Sequence, residues 1–411
     1  LTKEILREQG MQVDENGFLK EMEIQRKRAR AAHQATDYMG MDNKLYQLID
    51  SNVETEFLGY DLLETESNVI FLIKDDAQAD SAYQGDEIAV ILDKTPFYPE
   101  GGGQVADQGH LHTADGLVEI NDVQRLFGNK IIHFGKVISG KLEKGKSVKA
   151  EVNEDMRLAT ARNHTVTHLL HKVLRNVLGA HVEQAGSLVS PHRLRFDFSH
   201  YASLSTEELH NIEKQVNNEI MKAIPVEIIE TTFNRAREMG AIALFGEKYE
   251  ENVRVIKIGD FSMELCGGTH LKNTGQAGMF KILSESGIAA GIRRIEAVTG
   301  FGVHEHLLTQ EQLINTIAQQ LKTSPSDIQM RVENLLSRIK EQEKEIDQLR
   351  SRVAANSIST LMESKKTIGP VNYIVSQVDG LDIEGLRNMV DNLKDRIRSG
   401  VIVLATIKDD K

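Results

Sequence analysis

The chain has 411 residues. A single hydrophobic core does not normally serve a chain of this length, which favours about three domains. Its 40% hydrophobic and 27% charged residues are ordinary for a globular protein in water; no apolar run is long enough to span a bilayer, and no signal-peptide pattern opens the chain. A net charge of −12 argues against a general nucleic-acid coat, so RNA contacts would have to come from local basic clusters.

Cysteine usage indicates a reducing compartment, and we expect a cytoplasmic protein. Cys266 is the one cysteine of the sequence, beside fourteen histidines. It excludes an intramolecular disulfide and leaves a thiol that is free to act as a metal ligand or a nucleophile. The chain starts at Leu1 without an initiator methionine, so we expect it to be part of something longer.

The first 150 residues change from a helical to a β-rich pattern. Residues 1–48 have good helix propensity and no proline, which predicts helices. From about 52 to 152, short apolar segments alternate with glycine and Asp/Asn turns. Val69, Phe71 and Ile73 alternate along one such segment, and residues 88–92 form a continuous apolar run. Many short strands at regular spacing predict a β-barrel or a β-sandwich.

From about residue 153 helical and strand patterns mix. Residues 157–178 predict a long helix that ends at Gly179, and residues 194–198 predict a strand. Ser205 and Glu208 form a capping box that opens a second helix. Strands are expected at 226–232, 253–258 and 261–265. This mixture predicts an α+β domain.

The last hundred residues combine a heptad pattern with a short α/β segment. Apolar residues recur at positions 328, 332, 335, 339, 346, 349 and 353, which predicts a coiled coil or an antiparallel helical hairpin. The order strand (371–375), helix (383–397), strand (401–407) then predicts a β-α-β unit. It ends abruptly at Lys411, so we expect the last domain to be truncated.

We therefore predict a multidomain α+β protein. Its regions are expected to be N-terminal helices (1–50), a β-barrel (51–152), an α+β domain (153–302), a coiled coil or helical hairpin (303–362) and a partial C-terminal α/β domain (363–411).

Two short motifs in the 153–302 region predict a metal site. His164 and His168 lie four residues apart in the predicted helix, which places both imidazoles on one face with Cβ atoms roughly 5–6 Å apart. Cys266-Gly-Gly-Thr-His270 follows a predicted strand, and its glycines allow close backbone approach. Three imidazoles and a thiolate suit Zn²⁺. Taken singly, the motifs could instead be surface or capping histidines and a small buried cysteine.

The predicted ligand set leaves the chemistry of the metal open. Four protein ligands fill tetrahedral zinc, as in a structural site, whereas a catalytic site keeps a position for water or substrate. Either one of the four is not a ligand, or substrate displaces one, or the ion positions substrate and water comes from elsewhere. Cys266 as a nucleophile is the less favoured alternative. His171 is interpreted as a supporting or structural residue.

Other motifs have simple structural alternatives. Residues 95–104 carry three glycines but lack the Gly-Lys-Ser/Thr of a P-loop, so nucleotide binding is not expected. This stretch is either a turn between strands or a loop close to a ligand, to which Thr95 offers a hydroxyl. Gln184 is similarly placed before a strand. Basic clusters at 25–30, 193–195 and 293–294 are, each by itself, typical of solvated surface.

Five stretches together resemble the editing half of bacterial alanyl-tRNA synthetases, and they are also similar to the free-standing proteins that hydrolyse mischarged alanine tRNA. They are 95–104, 163–170, 183–188, 262–270 and 284–300. Residues 1–40 resemble the end of the family's tRNA-recognition region. The coiled coil and the tail resemble the start of its C-terminal domain. The resemblance therefore spans essentially the whole chain.

The resemblance implies hydrolysis of Ser-tRNA(Ala) and Gly-tRNA(Ala). A pocket built for alanine cannot strongly reject serine, which merely adds a hydroxyl, or glycine, so a second hydrolytic site is needed. The implied zinc ligands are His164, His168, Cys266 and His270. The implied catalytic-site residues that recognise the substrate are Thr95 and Gln184. Candidates for phosphate or terminal-adenosine contacts are Arg293 and Arg294.

The chain departs from full-length members of that family. They use ATP to attach alanine to tRNA(Ala), and the domain for this step is absent, so this chain is not expected to charge tRNA. The glycine-rich end of the C-terminal domain is also absent, which affects its expected contact with the tRNA elbow. A homo-oligomer through the coiled coil and the C-terminal domain is the expected assembly, and no membrane is expected as a partner.

Two alternatives remain. One is a free-standing editing factor, which residues 1–40 make less favourable because they resemble an inherited synthetase segment. The other is a non-catalytic tRNA-binding or dimerisation module with a structural zinc. That module would bind tRNA without releasing serine from it.

Overall fold

The computed structural model describes residues 53–126, 129–243, 250–378 and 383–406, with Asp14, Gly17, Lys20, Met22 and Ile49 before them. The predicted N-terminal helices therefore lie almost wholly outside the described residues. The chain divides into two compact units, Leu1–His306 and Leu307–Lys411, which are considered separately. Among the described residues, no helix is both long and apolar enough to cross a membrane.

The first unit opens with eleven strands. They are β1 (Glu56–Phe57), β2 (Glu64–Lys74), β3 (Ala77–Gln78), β4 (Ser81–Tyr83), β5 (Glu87–Leu92), β6 (Lys94–Thr95), β7 (Gly109–His112), β8 (Leu117–Arg125), β9 (Ile131–Ser139), β10 (Lys141–Glu143) and β11 (Ser147–Val152). Seven of them form one antiparallel sheet in the order β11-β7-β8-β9-β5-β2-β3, in which the short β3 pairs with β2. Because β11 also pairs with β2, the sheet closes on itself. The predicted barrel is thus confirmed.

The barrel strands have apolar residues on both faces. Val69, Leu72 and Val90 belong to the large interior cluster, whereas Phe71 and Ile73 pack in a separate, smaller one. Val69 therefore does not lie on the same face of the sheet as Phe71 and Ile73, although the three residues alternate in the sequence. A register shift between Val69 and Phe71, where β2 pairs with β5, moves the following side chains to the other face.

Helices and a second group of strands follow the barrel. They are α1 (Glu154–Leu178), β12 (Gln184–Val189), β13 (Leu194–Ser199), α2 (Thr206–Met221), β14 (Val226–Thr232), α3 (Phe233–Glu238), β15 (Asn252–Ile258), β16 (Ser262–Leu265), β17 (Phe280–Ala289) and β18 (Ile292–Thr299). One antiparallel sheet has the order β12-β13-β18-β17, and a smaller one has the order β14-β15-β16. The predicted α+β pattern of helices and strands is confirmed here.

Helix α1 is the central element of this α+β part. Its N-cap Asn153 accepts a hydrogen bond from the backbone of Met156, and it ends at Gly179, where φ is 117°. Val166 and Leu170 on its buried face pack with Phe196 from β13, and α2 adds further apolar residues to the same core. The helix is therefore covered on several sides, which explains its fourteen buried residues.

Arg157, in the first turn of α1, connects the helix to the loops of the barrel. Its guanidinium bonds to both carboxylate oxygens of Asp107 and donates to the carbonyls of Gly59 and Pro96. The side chains of Arg157 and Asp107 are only 6% and 4% exposed. The Asp107 carboxylate also accepts from the Tyr98 amide. All these groups are partnered, as burial of charge requires.

The second unit contains the predicted β-α-β segment. Its elements are α4 (Phe301–Leu321), which begins in the first unit, α5 (Ile328–Glu363), β19 (Lys366–Ile368), β20 (Val371–Gln377), α6 (Ile383–Ile397) and β21 (Gly400–Ala405). Strands β20 and β21 pair in parallel, and Ile374, Met389 and Leu393 lie in their core. Along α5 the heptad residues Ile339 and Ile346 are each 49% exposed. Pairing as a coiled coil therefore stays a prediction.

The buried ion pair of Arg157 gives a first test of this architecture. We expect Arg157→Ala to lower the free energy of unfolding by about 3–5 kcal/mol, because it leaves the Asp107 carboxylate buried without a counter-charge. Urea unfolding followed by circular dichroism measures the change. Arg235→Ala is the control, since Arg235 pairs with Glu238 on the surface and both side chains are about two-thirds exposed. Equal stability of the two variants would contradict the connecting function of Arg157.

Candidate metal centre

The structure brings the two predicted metal-binding motifs together. The candidate ligand atoms of His164, His168, Cys266 and His270 all lie within 4.8 Å of one another. The Nε2 atoms of His164 and His270 are each 3.3 Å from the Cys266 Sγ atom. The first two histidines come from α1, and the Cys-His pair comes from the loop that follows β16. This cluster has a suitable composition and size to bind a metal ion.

Helical spacing and burial explain the orientation of His164 and His168. They are four residues apart on α1, their rings stack with centroids 5.5 Å apart, and they are only 4% and 7% exposed. Thr165 joins the second motif to the same helix: its hydroxyl accepts from the backbone amide of Leu271 and lies 3.4 Å from Nδ1 of His270. The loop therefore docks on the helix next to the two imidazoles.

A glutamine from the barrel region determines which nitrogen of His164 faces the centre. The His164 Nδ1 atom donates to Oε1 of Gln104 over 2.8 Å. The backbone amide of Thr269 donates to the same oxygen, and the Gln104 amide nitrogen donates to the Thr269 hydroxyl. These contacts require the amide oxygen on the histidine side. His164 Nδ1 must then carry the proton, which leaves Nε2 free to bind a metal.

Glu264 determines which nitrogen of His168 faces the centre, as Gln104 does for His164. Its carboxylate accepts from His168 Nδ1 at 2.9 Å with one oxygen and from His171 Nδ1 at 3.1 Å with the other. The Nε2 atom of His168 is buried and has no hydrogen-bond partner among the described residues. An unpartnered buried nitrogen is costly by itself, and a bound cation would remove that cost. The residues present therefore fit a metal ion.

Sequence reasoning missed Gln104 and Glu264. Gln104 is the last residue of the predicted glycine loop, but nothing in the sequence separates its side chain from its neighbours. Glu264 offered a signal, because it lies two residues before Cys266, and alternate residues of a strand share a face. His171, interpreted as a supporting residue, is indeed bonded to Glu264.

The electrostatic interactions in the cluster favour the anionic forms of Cys266 and Glu264 beside the imidazoles. Burial alone would raise the pKa of the Cys266 thiol, but the neighbouring His164 holds it well below its usual value. Burial also acts against the Glu264 carboxylate, yet His168 keeps its pKa far below normal. Burial lowers the pKa of His270 to about 3. For His168 burial again acts downward, but the Glu264 carboxylate raises its pKa to about 10. A divalent cation bound at the centre would replace the second proton of the His168 imidazole.

Gly268 lets the loop lie directly against the His164 ring. A Cβ atom added at this position would lie 2.0 Å from Cε1 of His164 and 2.9 Å from Oε1 of Gln104. The glycine is required for this close approach, as predicted from the glycines of the Cys-Gly-Gly-Thr-His motif. At Gly267, in contrast, the nearest atom would be the Tyr60 hydroxyl oxygen at 3.9 Å.

The glycine loop of residues 95–104 docks on the edge of β12. Val189 donates its amide to Gly103 O, and Val105 donates to Val189 O. Gly102 and Gly103 have φ of 58° and 81°, and a Cβ at Gly103 would lie 2.7 Å from Ser187 O. The backbone of this loop therefore approaches another strand, and this docking delivers Gln104 to the metal centre.

The predicted substrate-recognition residues lie in different surroundings. Thr95 is fully buried at the barrel, where its hydroxyl is 2.7 Å from Nε2 of His133 and accepts from the Phe97 amide. Gln184 is partly exposed at the start of β12, opposite Phe198. Contact with substrate stays a prediction for both, and Thr95 would first have to give up its buried position.

The predicted RNA-binding arginines already have acidic partners. The Nε atom of Arg293 donates to Glu285 over 2.5 Å. Arg294 makes a bidentate pair with Asp197, with contacts of 2.7 and 2.8 Å. Their side chains are 16% and 29% exposed. RNA binding by these residues stays a prediction, and it would compete with these ion pairs.

Known families match both ends of the first unit. Residues 1–156 match the family described as tRNA synthetases class II (A), and residues 253–296 match the threonyl and alanyl tRNA synthetase second additional domain. The second match contains Glu264, Cys266 and His270. These two stretches are thus similar to class II tRNA synthetases and to the second additional domain of threonyl and alanyl tRNA synthetases.

Whole-chain relatives carry a more specific name. Alanine--tRNA ligase of Acetivibrio thermocellus is 48% identical over 99% of this chain. The ligase of Pelotomaculum thermopropionicum is 47% identical over 100% of this chain. The Bacillus cereus ligase is 46% identical, again over the whole chain. Over its whole length the chain is therefore homologous to one part of the alanine--tRNA ligases. It spans 46–47% of the length of these three relatives.

Gly268 provides a sharp test of the centre. We expect Gly268→Ala to weaken binding of Zn²⁺, because the new methyl group must displace His164 at a cost of about 1–3 kcal/mol. Isothermal titration measures the affinity. Gly267→Ala is the matched control, since its Cβ would meet nothing closer than 3.9 Å. If both variants bind Zn²⁺ as the unchanged protein does, His164 is not held in the arrangement described above.

Glu264 gives an independent test. Two histidines donate to its two oxygens, whereas a glutamine has one acceptor oxygen and would turn an N–H toward the other ring. We therefore expect Glu264→Gln to weaken Zn²⁺ binding by about 10–100-fold. Competition with a chromophoric chelator gives the affinity. Thr160→Val, which removes a hydroxyl that donates to Met156 O within α1, should bind Zn²⁺ normally. An unchanged affinity in Glu264→Gln would exclude a supporting function for the carboxylate.

Proposed function

We propose that this chain hydrolyses the ester of Ser-tRNA(Ala) and Gly-tRNA(Ala) at a Zn²⁺ site formed by His164, His168, Cys266 and His270. The observation that carries the proposal is the convergence of these four ligand atoms within 4.8 Å. One of the two motifs lies inside the stretch that matches the threonyl and alanyl additional domain. Zinc fits a set of one thiolate and three imidazoles better than Mg²⁺ or Ca²⁺ does.

Hydrolysis breaks the bond between the aminoacyl carbonyl carbon and the ribose oxygen of the terminal nucleotide. A water molecule supplies the hydroxyl group of the released amino acid and the proton of the released ribose. When bound, Zn²⁺ would supply a Lewis acid for the ester carbonyl or hold the aminoacyl end in place. The protein residues have a preparatory function: Gln104 and Glu264 keep the Nε2 atoms of His164 and His168 directed at the centre.

The need for such a site follows from the size of the substrates. Serine differs from alanine by one hydroxyl and glycine by one methyl group, so a synthetic pocket for alanine separates them poorly. A second site can instead recognise the serine hydroxyl by a hydrogen bond. We propose Gln184 for this contact, because its side chain is partly exposed at the start of β12. Thr95 would serve only after its hydroxyl leaves His133.

The wider setting of the reaction is part of the same proposal. The relatives named above are alanine--tRNA ligases, and a longer protein of that kind would attach alanine to tRNA(Ala) with ATP. We propose a cytoplasmic protein and a homo-oligomer formed through α5 and the C-terminal α/β segment. The domain divisions at about residues 50, 152, 302 and 362 belong to this proposal. Arg293 and Arg294 would bind phosphate or the terminal adenosine in exchange for their acidic partners.

One observation favours a second function. The four side chains would fill the coordination of a tetrahedral zinc, as structural sites do. The chain would then be a tRNA-binding module in which the metal only stabilises the loop after β16. Catalysis through a filled site would require substrate to displace one of the ligands or water to come from outside the metal.

Deacylation distinguishes these functions. We expect the Zn²⁺-loaded protein to release serine from labelled Ser-tRNA(Ala) and glycine from Gly-tRNA(Ala), and to leave Ala-tRNA(Ala) largely intact. Cys266→Ala should lower the release of serine to the spontaneous rate, because it removes one of the four ligands. The measurement is the acid-precipitable label that remains over time.

Arg235→Ala should hydrolyse Ser-tRNA(Ala) as the unchanged protein does, since Arg235 only forms a surface ion pair. If the unchanged protein binds Zn²⁺ and tRNA(Ala) while the seryl ester stays intact, the deacylase proposal is wrong and the structural function is favoured.

A further inference from the structure

Three consecutive carbonyl groups of the metal-centre loop are held by two side chains outside the four candidate ligands. Arg254 donates through Nη1 to the carbonyls of Cys266 and Gly268, over 3.3 and 2.6 Å. The hydroxyl group of Tyr60 donates to the carbonyl of Gly267, between them, over 2.6 Å. No carbonyl of the Cys266–Gly268 segment is left without such a contact.

Arg254 and Tyr60 also contact each other. The guanidinium carbon of Arg254 lies 4.0 Å from the centre of the Tyr60 ring, and Phe57 packs edge-on against that ring with centroids 4.9 Å apart. Arg254 is on β15, next to β16, and its own carbonyl accepts from the Cys266 amide over 3.0 Å. The planar guanidinium is thus fixed by stacking and can hold two carbonyls at once.

Holding the carbonyls fixes the opposite side of the same peptide groups. The Gly268 amide points to Cys266 Sγ, with its nitrogen 3.4 Å from the sulfur. The thiol therefore has an amide donor on one side and the Nε2 atoms of His164 and His270 on the other. Glycines at 267 and 268 leave this segment without side chains of its own to limit its conformations. Contacts with residues outside the segment must therefore restrict its conformations.

We propose that Arg254 and Tyr60 are positioning residues that hold the Cys266–Gly268 segment, and with it Sγ, in the geometry that binds the metal. The inference rests on the metal site of the proposed function, but it is independent of deacylation. Tyr60 lies before β2, on the barrel side of the chain, so the barrel contributes to the centre through Tyr60 as well as through Gln104. Neither Arg254 nor Tyr60 binds the metal itself.

Titration with Co²⁺ tests this proposal, because thiolate-to-cobalt charge-transfer absorption reports the bond from Sγ to the metal. We expect Arg254→Met to weaken Co²⁺ binding by about 10–100-fold and to reduce the charge-transfer band at saturation. Tyr60→Phe, which keeps the ring but loses the bond to Gly267 O, should show a smaller effect in the same direction. Arg254→Lys keeps the charge but not the planar group that stacks on the Tyr60 ring, so it should restore the band only in part.

Arg193→Met is the matched control, since Arg193 pairs with Glu296 away from the loop and its side chain is half exposed. Circular dichroism and the thermal midpoint establish that each variant is folded. A folded Arg254→Met protein with the affinity and spectrum of the unchanged protein would overturn the proposal, as would full restoration by lysine. If the unchanged protein itself binds no Co²⁺, the metal site and the positioning function both fail. If it binds Co²⁺ but does not deacylate, only the proposed reaction fails.

Discussion

The rest of the structure depends on one constraint: an imidazole buried at a metal centre needs an acceptor for its second nitrogen. His164 finds that acceptor in Gln104 and His168 finds it in Glu264, at 2.8 and 2.9 Å. Both acceptors come from segments distant in sequence, so the centre can form only when the barrel loops, α1 and β16 are in their final positions. The geometry of the site therefore depends on the packing of the first unit.

The barrel has a direct part in the chemistry of the α+β region. Arg157 joins the start of α1 to Asp107 and to the carbonyls of Gly59 and Pro96, which fixes the loops that carry Gln104 and Tyr60. The Arg157 and Asp107 side chains are charged and buried, so an unpaired partner would be costly. A change in the barrel loops should for this reason be felt at the metal centre.

Two groups that can become anionic, the half-buried Cys266 and the buried Glu264, face the imidazoles of the centre. The pKa of the Cys266 thiol and that of the Glu264 carboxyl are both held low by neighbouring histidines, despite burial. A site of this composition attracts a cation. The Nε2 atom of His168, which has no hydrogen-bond partner in the described part of the chain, points to the same conclusion. Whether a bound metal would act in hydrolysis or only in structure depends on access for substrate, because the four side chains would already supply the four ligands of a tetrahedral zinc.

Local patterns in the sequence determined the elements and the four candidate ligands. Helical spacing put His164 and His168 on one face, and the unique Cys266 with its glycines marked the second motif. The barrel, the capping box at Ser205 and the β-α-β segment also follow from short-range periodicity. Only the tertiary structure decided the partners. Gln104 and Glu264 reach their histidines across 60 and 96 positions, and Thr95 is buried against His133. Such contacts depend on how the elements pack, which no local pattern records.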